Sequence, residues 1–222
     1  GIIPSLQSSN ELSMVYVKLI TRDISENQLQ AVRYYPRSKA STAVFAKKCK
    51  ALHTFCEKEK IEIRPDKKHS FLAHIDFSLL AYVAYESPDE IPAFYNLLLW
   101  WFDDKFIDEL TADTNVSMIH SNIEKLERVL YHNEYIQLTE QDPENVKSLI
   151  KIAKKVKELL INKQITPENS PGFYSRTFET FNAQLDQAKR KQANEVLSPQ
   201  DFYTQRLKFS GVWPSLELAL SC

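Results

Sequence analysis

Hydrophobic residues recur at helical spacing along most of the chain. The clearest case is the segment 145–161, where apolar residues mark one face and four lysines mark the opposite face. No segment alternates between apolar and polar residues for long enough to predict a β-strand. We therefore predict an all-α protein and interpret the lysine row as a solvent-exposed face. The apolar positions are Val146, Leu149, Ile150, Ala153, Val156, Leu159 and Leu160, and the lysines are Lys147, Lys151, Lys154 and Lys157.

Further helices are predicted from the same spacing, and short polar stretches indicate where some of them begin. Residues 87–90 read Ser-Pro-Asp-Glu, which is typical of a helix start, and the helix that they open extends to about Leu110. Residues 198–201 read Ser-Pro-Gln-Asp and resemble a capped helix start. Residues 1–35 carry no pattern that assigns an element, and no long linker or repeat divides the chain, so we predict a single domain over 1–222. The remaining helices are predicted at 38–60, 68–85, 117–131, 172–196 and 198–207.

The composition argues against several classes of function. The 222 residues carry a net charge of −1, which gives no long-range attraction to nucleic acid or to an anionic membrane. Three glycines are too few for the turns and phosphate loops of Rossmann or P-loop folds. The longest apolar runs, at 77–85 and 94–102, are about half the length of a membrane span. Three cysteines without a CxxC pair are typical of reduced thiols. We predict a cytoplasmic protein without a membrane span, either monomeric or homodimeric.

The most informative stretch is an apolar segment that ends abruptly in carboxylates at positions 103, 104, 108 and 109. Negative charge near a helix C-terminus opposes the helix dipole, so a solvated helix end rarely carries so much of it. On an α-helix Asp104 and Asp108 share a face, while Asp103 points about 100° away. Carboxylates beside an apolar cavity suit Mg²⁺, which takes a few protein carboxylates together with waters and substrate phosphates. The spacing alone leaves a metal site and an acidic helix end paired with lysines equally open.

Two motifs in the chain resemble those of class I terpene synthases of the microbial and amoebal type. The first is the run LLLWWFDD at 97–104 with Asp108, which resembles the aspartate-rich motif of that family. The family spacing is usually DDxxD, whereas this chain has DDxxxD, with Ile107 where the last Asp usually stands. The resemblance implies that Asp103, Asp104 and Asp108 bind Mg²⁺, or Mn²⁺, together with the substrate diphosphate, and that Asp103 is catalytic.

The second motif lies about one hundred residues later, at 197–211, and resembles the family's segment before a break in a helix. By that resemblance Arg206 is the catalytic arginine that senses diphosphate, Ser210 is the effector position and Gly211 permits the break. A guanidinium can bind phosphate oxygens with two parallel hydrogen bonds, which an ammonium cannot do. Taken alone, the same residues could also be a surface arginine before a C-terminal glycine cap. The resemblance covers roughly residues 30–222 and implies the single-domain helical bundle of isoprenoid synthases.

The function that the resemblance implies is that of a carbon–oxygen lyase acting on a prenyl diphosphate. The substrate, most simply farnesyl diphosphate with geranyl and geranylgeranyl diphosphate left open, would ionise and cyclise to a terpene with release of diphosphate. Phe77 and Phe102 are our candidates for the wall of an aromatic cavity that stabilises the carbocation.

One feature of the family is missing from the sequence. The residues after Arg206 contain no second metal motif of the type NDxxSxxxE. We therefore expect a chain truncated at its C-terminus, with weak activity or none. The alternative, from a different class of function, is an inactive relative that serves as a helical interaction protein.

Overall fold

The computed structural model describes residues 39–61, 90–108 and 116–221, and helix is the only regular secondary structure within these ranges. The prediction of an all-α protein is confirmed for this part of the chain. The helix predicted at 68–85, the unassigned segment 1–35 and the candidate cavity residue Phe77 lie outside the described residues. None of the described helices is both long enough and apolar enough to cross a membrane.

The predicted helices agree with the observed ones to within a few residues, with two differences. The helix that opens near residue 90 ends at Phe102 and continues as a π-helical segment, and a further helix follows Gly211 that is not among the predicted ones. The described elements are α1 (Lys39–Lys58), α2 (Ile91–Phe102), the π-helical segment (Asp103–Asp108), α3 (Val116–Leu130), α4 (Glu144–Asn162), α5 (Pro171–Gln192), α6 (Pro199–Phe209) and α7 (Val212–Ser221).

The predicted start of α6 is confirmed in atomic detail. The Ser198 side chain accepts a hydrogen bond from the backbone N–H of Asp201 at 3.1 Å and donates one to the Asp201 carboxylate at 2.8 Å. Pro199 occupies the first turn, where a missing N–H leaves no hydrogen bond unmade. These contacts satisfy one of the free amides at the helix N-terminus and set where the helix begins.

The contacts along the chain group into two compact units, residues 1–96 and 97–222, and the boundary falls inside α2. In the first unit the ring of Phe55 on α1 meets the ring of Phe94 edge to face, with 5.2 Å between their centres. Leu52 and Cys56, on the same helix, are buried. The single domain over 1–222 stays a prediction.

The second unit is organised around α5, the longest described helix. α5 contacts α3, α6, α7 and the π-helical segment, while α4 packs on α3 and α7 on α6. The buried aromatic residues Phe173, Tyr174 and Phe181 lie along α5. Trp101, at the end of α2, is fully buried and its indole N–H donates to the backbone carbonyl of Asn145 at 3.1 Å, which holds the end of α2 against the first turn of α4.

Four of the described helices are followed by a residue other than glycine in the left-handed backbone conformation. Lys60, Asn133, Gln164 and Asn194 follow the ends of α1, α3, α4 and α5, and each has a positive φ of 51° to 57°. A helix commonly ends with one residue in this left-handed conformation, and the usual choice is glycine. A residue with a Cβ pays about 1–2 kcal/mol for it, so the described part of the chain accepts backbone strain at four helix ends.

The prediction that the lysine row of α4 is a solvated face is wrong, because Lys157 is buried and the other three lysines are half-buried. Lys157 is 5% exposed, whereas the prediction placed it in solvent. Lys154 is half-buried, and its ammonium donates to the backbone carbonyl of Ile136 at 3.0 Å. The segment between α3 and α4 folds back over this part of α4, so a face that looks exposed from periodicity is covered by chain from outside the helix.

Candidate active site

The π-helical geometry after the end of α2 decides which side chains share a face, both among the apolar residues and among the carboxylates. Buried side chains occur in two adjacent pairs five residues apart, Trp101 with Phe102 and Phe106 with Ile107. Positions five apart are turned by about 140° on an α-helix, so one of the two pairs would leave the core. A π-helix bonds residue i to residue i+5 and brings positions five apart back to one face. The spacing of the buried pairs therefore favours the π-helical geometry.

The same register brings together Asp103 and Asp108, which are also five residues apart. The pKa of the Asp103 carboxyl is raised from its ordinary value of 3.8 to about 6, mainly by burial and then by repulsion from Asp108 and from Asp104. Asp108, the more distant residue in sequence, acts on Asp103 more strongly than the adjacent Asp104 does.

The expectation that Asp104 and Asp108 form the pair on one face assumed α-helical geometry, which does not hold over these residues. The carboxylate of Asp104 lies 3.7 Å from the ammonium of Lys105, whose side chain is 8% exposed. The Lys105 ammonium also lies 5.2 Å from the centre of the Trp101 ring. Asp104 is therefore drawn towards a cation of the protein, while Asp103 faces the charge of Asp108.

Two cations act on Asp103 from other helices. The guanidinium of Arg206 on α6 and, more weakly, the ammonium of Lys191 on α5 both lower the pKa of Asp103, although burial and the neighbouring carboxylates outweigh them. Arg206 is exposed, and its guanidinium carbon lies 5.4 Å from the centre of the Phe209 ring. Asp108 and Arg206 thus both act electrostatically on Asp103, although about one hundred residues separate Arg206 from the two aspartates in sequence.

Lys191 is the residue acting on Asp103 that the sequence did not single out. It belongs to the basic run 189–191 in the last turn of α5. Such a run at a helix C-terminus is explained by favourable interaction with the helix dipole, so nothing in the sequence marks Lys191 separately. Its proximity to Asp103 is a consequence of how α5 packs on the π-helical segment.

The break predicted at Gly211 is confirmed. α6 ends at Phe209, Gly211 has a φ of +75°, and α7 begins at Val212. The Ser210 hydroxyl is exposed and donates weakly to the carbonyl of Leu207 at 3.4 Å, while the Gly211 carbonyl accepts from the Ser215 hydroxyl at 2.6 Å. The roles of Ser210 and Gly211 towards a substrate stay predictions.

The buried side-chain amide of Gln184, on α5, contacts the end of α6 at this break. The Gln184 side chain is 4% exposed, and its N–H donates to the carbonyl of Phe209, the last residue of α6, at 3.4 Å. The side-chain oxygen of Gln184 has no hydrogen-bond partner. The contact leaves the terminal carbonyl of α6 only weakly bonded, because 3.4 Å is long for a hydrogen bond between nitrogen and oxygen.

Gly211→Ala is expected to lower the free energy of unfolding by about 2–4 kcal/mol. The left-handed φ disfavours a side chain, and the new Cβ would lie 2.8 Å from a methyl carbon of Leu99. Urea unfolding of Gly211→Ala, Leu99→Ala and the double variant checks both causes. In the double variant, we expect Leu99→Ala to relieve the steric cost of the new Cβ but not the cost of the left-handed backbone conformation. If the losses of unfolding free energy in the two single variants simply add up in the double variant, the new Cβ does not contact Leu99.

The candidate cavity residue Phe102 is packed inside the second unit. It is fully buried, with its ring 5.5 Å from that of Phe106 and 4.9 Å from that of Phe181, measured between centres. Among the described residues these rings fill the space beside Phe102 as a core does. Its role as a wall of a substrate cavity stays a prediction.

The residues at the end of α2 fit a divalent cation in part. Within the described ranges no three His, Cys, Asp or Glu side chains lie close enough together to hold a metal ion by themselves. Asp103 and Asp108 supply two carboxylates whose mutual repulsion a cation would relieve. Mg²⁺ is commonly bound through one or two carboxylates, with phosphate oxygens and waters completing its shell. The donor set therefore fits Mg²⁺ bound together with a phosphate ligand better than Mg²⁺ alone.

No protein-family model, curated protein or solved structure matches this chain. The resemblance to class I terpene synthases accordingly depends on the two motifs and on the geometry described above.

Proposed function

We propose that this protein is a class I terpene synthase that ionises a prenyl diphosphate with the help of Mg²⁺. One observation carries the proposal: burial and two carboxylates of its own segment raise the pKa of Asp103, while two cations from other helices, Arg206 and Lys191, lower it. Carboxylates and cations gathered at the end of an apolar helix can bind a metal–diphosphate from two sides. The fold is all-α over the described residues, as such a synthase requires.

The carboxylates of the chain would bind the metal ion, and its cationic side chains would bind the diphosphate. Asp103 and Asp108 are the carboxylates that would hold Mg²⁺, with Asp104 a third candidate that first has to leave Lys105. Arg206 offers a planar fork of N–H groups to the diphosphate, and Lys191 offers a point charge beside it. Bound Mg²⁺ would stabilise the charge that develops on the leaving diphosphate. Aromatic side chains such as Phe102 would face the carbocation and exclude water.

Thermal unfolding with Mg²⁺ and inorganic diphosphate tests the proposal without requiring turnover. A ligand present at about one hundred times its dissociation constant stabilises the folded state by about 2.7 kcal/mol. We expect such stabilisation only when Mg²⁺ and diphosphate are both present. Arg206→Met should lower the affinity for Mg²⁺ with diphosphate to about a tenth or less, and the stabilisation should fall accordingly.

Lys208→Met is the matched control for Arg206→Met. Lys208 lies on the same helix, is exposed and carries the same charge, so its loss should leave the response to Mg²⁺ and diphosphate nearly unchanged. Equal losses in the two variants would mean a general effect of surface charge. The absence of any response in the unchanged chain would refute the proposal. Release of diphosphate from farnesyl diphosphate then measures the reaction itself.

One observation favours the alternative of a helical interaction protein. Large apolar side chains are exposed on α6 and α7, which points to a surface that could bind another protein. Sedimentation velocity over a range of concentrations distinguishes the two functions, because an interaction surface of this kind would show self-association without any response to Mg²⁺ and diphosphate. The exposed residues are Phe202, Tyr203, Trp213, Leu216 and Leu220.

A further inference from the structure

A second group of unusual side chains surrounds Lys157, the buried lysine of α4. Its ammonium donates to the hydroxyl oxygen of Tyr174 at 3.1 Å, and that hydroxyl donates its own proton to the backbone carbonyl of Ile165 at 2.7 Å. The Tyr174 hydroxyl is thereby fixed as an acceptor towards Lys157. No carboxylate among the described residues forms an ion pair with Lys157.

This environment makes the neutral amine easier to form than it is in an exposed lysine. Burial lowers the pKa of Lys157, and the negative charge of Glu168 opposes the effect to a smaller extent. Burial also raises the pKa of Tyr174, which therefore keeps its proton and does not supply a negative charge. A neutral lysine amine is a nucleophile towards carbonyl carbon, whereas an ammonium is not.

Lys157 also lines a cavity of about 330 Å³ between α4 and the segment that follows α3. That volume lies at the lower end of the range for small-molecule sites. Lys154 lines the same cavity, with its ammonium 4.7 Å from the centre of the Tyr135 ring. The side chains of Asn133 and Asn162 add further hydrogen-bonding groups. The cavity thus combines two lysines, an aromatic ring and amides. Burial lowers the pKa of both lysines, and Lys154, which is the less buried of the two, is the one to which we assign the charge.

The two carboxylates that line the cavity are each drawn to a cation outside it. Glu134 accepts from Arg128 at 2.7 Å, and Glu158 lies 4.0 Å from Lys155. Lys154 uses one of its three N–H groups on the carbonyl of Ile136. Its remaining N–H groups are suited to an anionic ligand in the cavity.

We propose that this cavity binds a small anionic aldehyde and that the Nζ atom of Lys157 forms an imine with it. The nitrogen lone pair adds to the carbonyl carbon, and the carbonyl oxygen takes up the two amine protons and leaves as water. A carbon–nitrogen double bond remains, with no oxidation or reduction. Lys154 holds the anionic group of the ligand. The site shares no residue with the candidate active site, so it does not depend on the proposed function.

Selective labelling of the full chain tests the amine. Pyridoxal 5′-phosphate, an aldehyde that carries a phosphate, serves as the probe, followed by borohydride reduction and peptide mass mapping. We expect Lys157 to be labelled at least about tenfold more than Lys155 when the probe is limiting, because burial lowers the pKa of Lys157 and makes its neutral amine easier to form. Labelling spread evenly over the exposed lysines would overturn the proposal.

Two variants separate reactivity from folding. Lys157→Met keeps the length of the side chain and leaves no buried charge, so it should fold and lose the selective label. Lys155→Met, on the same helix, should keep it. If the selective label persists in Lys157→Met, the assignment to Lys157 is wrong.

The anionic part of the proposal has its own test. 5′-Deoxypyridoxal lacks the phosphate and, having no 5′-hydroxyl to close onto it, keeps the aldehyde free, so it should label Lys157 about five- to tenfold more slowly than the phosphorylated probe. Lys154→Met should remove that difference. Equal rates for the two probes in the unchanged chain would overturn the anion preference.

Discussion

Asp103→Asn is expected to stabilise the fold at about pH 8 by up to about 3 kcal/mol and at the same time to abolish the response to Mg²⁺ and diphosphate. The stabilisation follows from the pKa of Asp103, which is raised from 3.8 to about 6 in the folded state. Below the lower value the carboxyl is neutral in both states and costs nothing. As pH rises through the higher value, the folded state has to carry a charge that it disfavours, so stability is lost.

Urea unfolding with a metal chelator present measures this effect. The difference between Asp103→Asn and the unchanged chain should be near zero at about pH 3 and should grow until about pH 7, where it levels off. The matched control is Asp186→Asn, because Asp186 is an exposed carboxylate on α5. It should shift stability by less than about 0.5 kcal/mol at any pH. A destabilised Asp103→Asn at high pH would contradict the electrostatics of the site.

Adding Mg²⁺ with diphosphate tests whether Asp103, which destabilises the free protein, is needed for stabilisation by the ligand. Asp103 and Asp108 would hold the cation, whose charge would offset the repulsion that raises the pKa of Asp103 after burial, so the unchanged chain should gain stability from Mg²⁺ with diphosphate at high pH. Asp103→Asn lacks one of the two carboxylates and should gain nothing. A residue that destabilises the free protein and is needed for a ligand is typical of a functional site.

Trp101→Ala is expected to lower the free energy of unfolding by about 3–5 kcal/mol. The indole is fully buried, and its loss leaves a cavity at the end of α2 and removes the hydrogen bond to Asn145. Circular dichroism of urea unfolding is the measurement, because it does not depend on tryptophan fluorescence. Trp101→Phe should cost less, since a ring still fills most of the space.

Trp213→Ala is the control for a tryptophan in a different environment. The Trp213 side chain is 41% exposed on α7 and lies under the guanidinium of Arg176 at 5.6 Å from its ring centre. Its loss should cost about 1 kcal/mol or less, because little apolar area returns to water. Similar costs for the two tryptophans would mean that the end of α2 is not anchored as described.

The sequence predicted the helices of this protein well because a helix is a local structure. Apolar spacing and a short capping motif were enough to locate α4 and α6, and the glycine at 211 correctly marked a break. The same reasoning placed Asp103, Asp104, Asp108 and Arg206 among the candidate site residues, since unusual clusters of charge after an apolar run are visible without any structure.

The sequence was less informative wherever a residue's environment came from another part of the chain. It placed Lys157 in solvent, but chain outside α4 covers it. It paired Asp104 with Asp108 by assuming an α-helix, although the five-residue spacing of Trp101 and Phe106 was a signal of the π-helical geometry. It gave no reason to select Lys191 from a basic helix end.

By itself, then, the sequence determined the helical class, most helix boundaries and the identity of the charged residues, because these depend on neighbours within a few turns. Only the tertiary structure decided that Arg206 and Lys191 act on Asp103, and that Lys157 is buried against Tyr174. Both results depend on how separate helices pack, and helix packing sets burial and the distances between charges that are far apart in the chain.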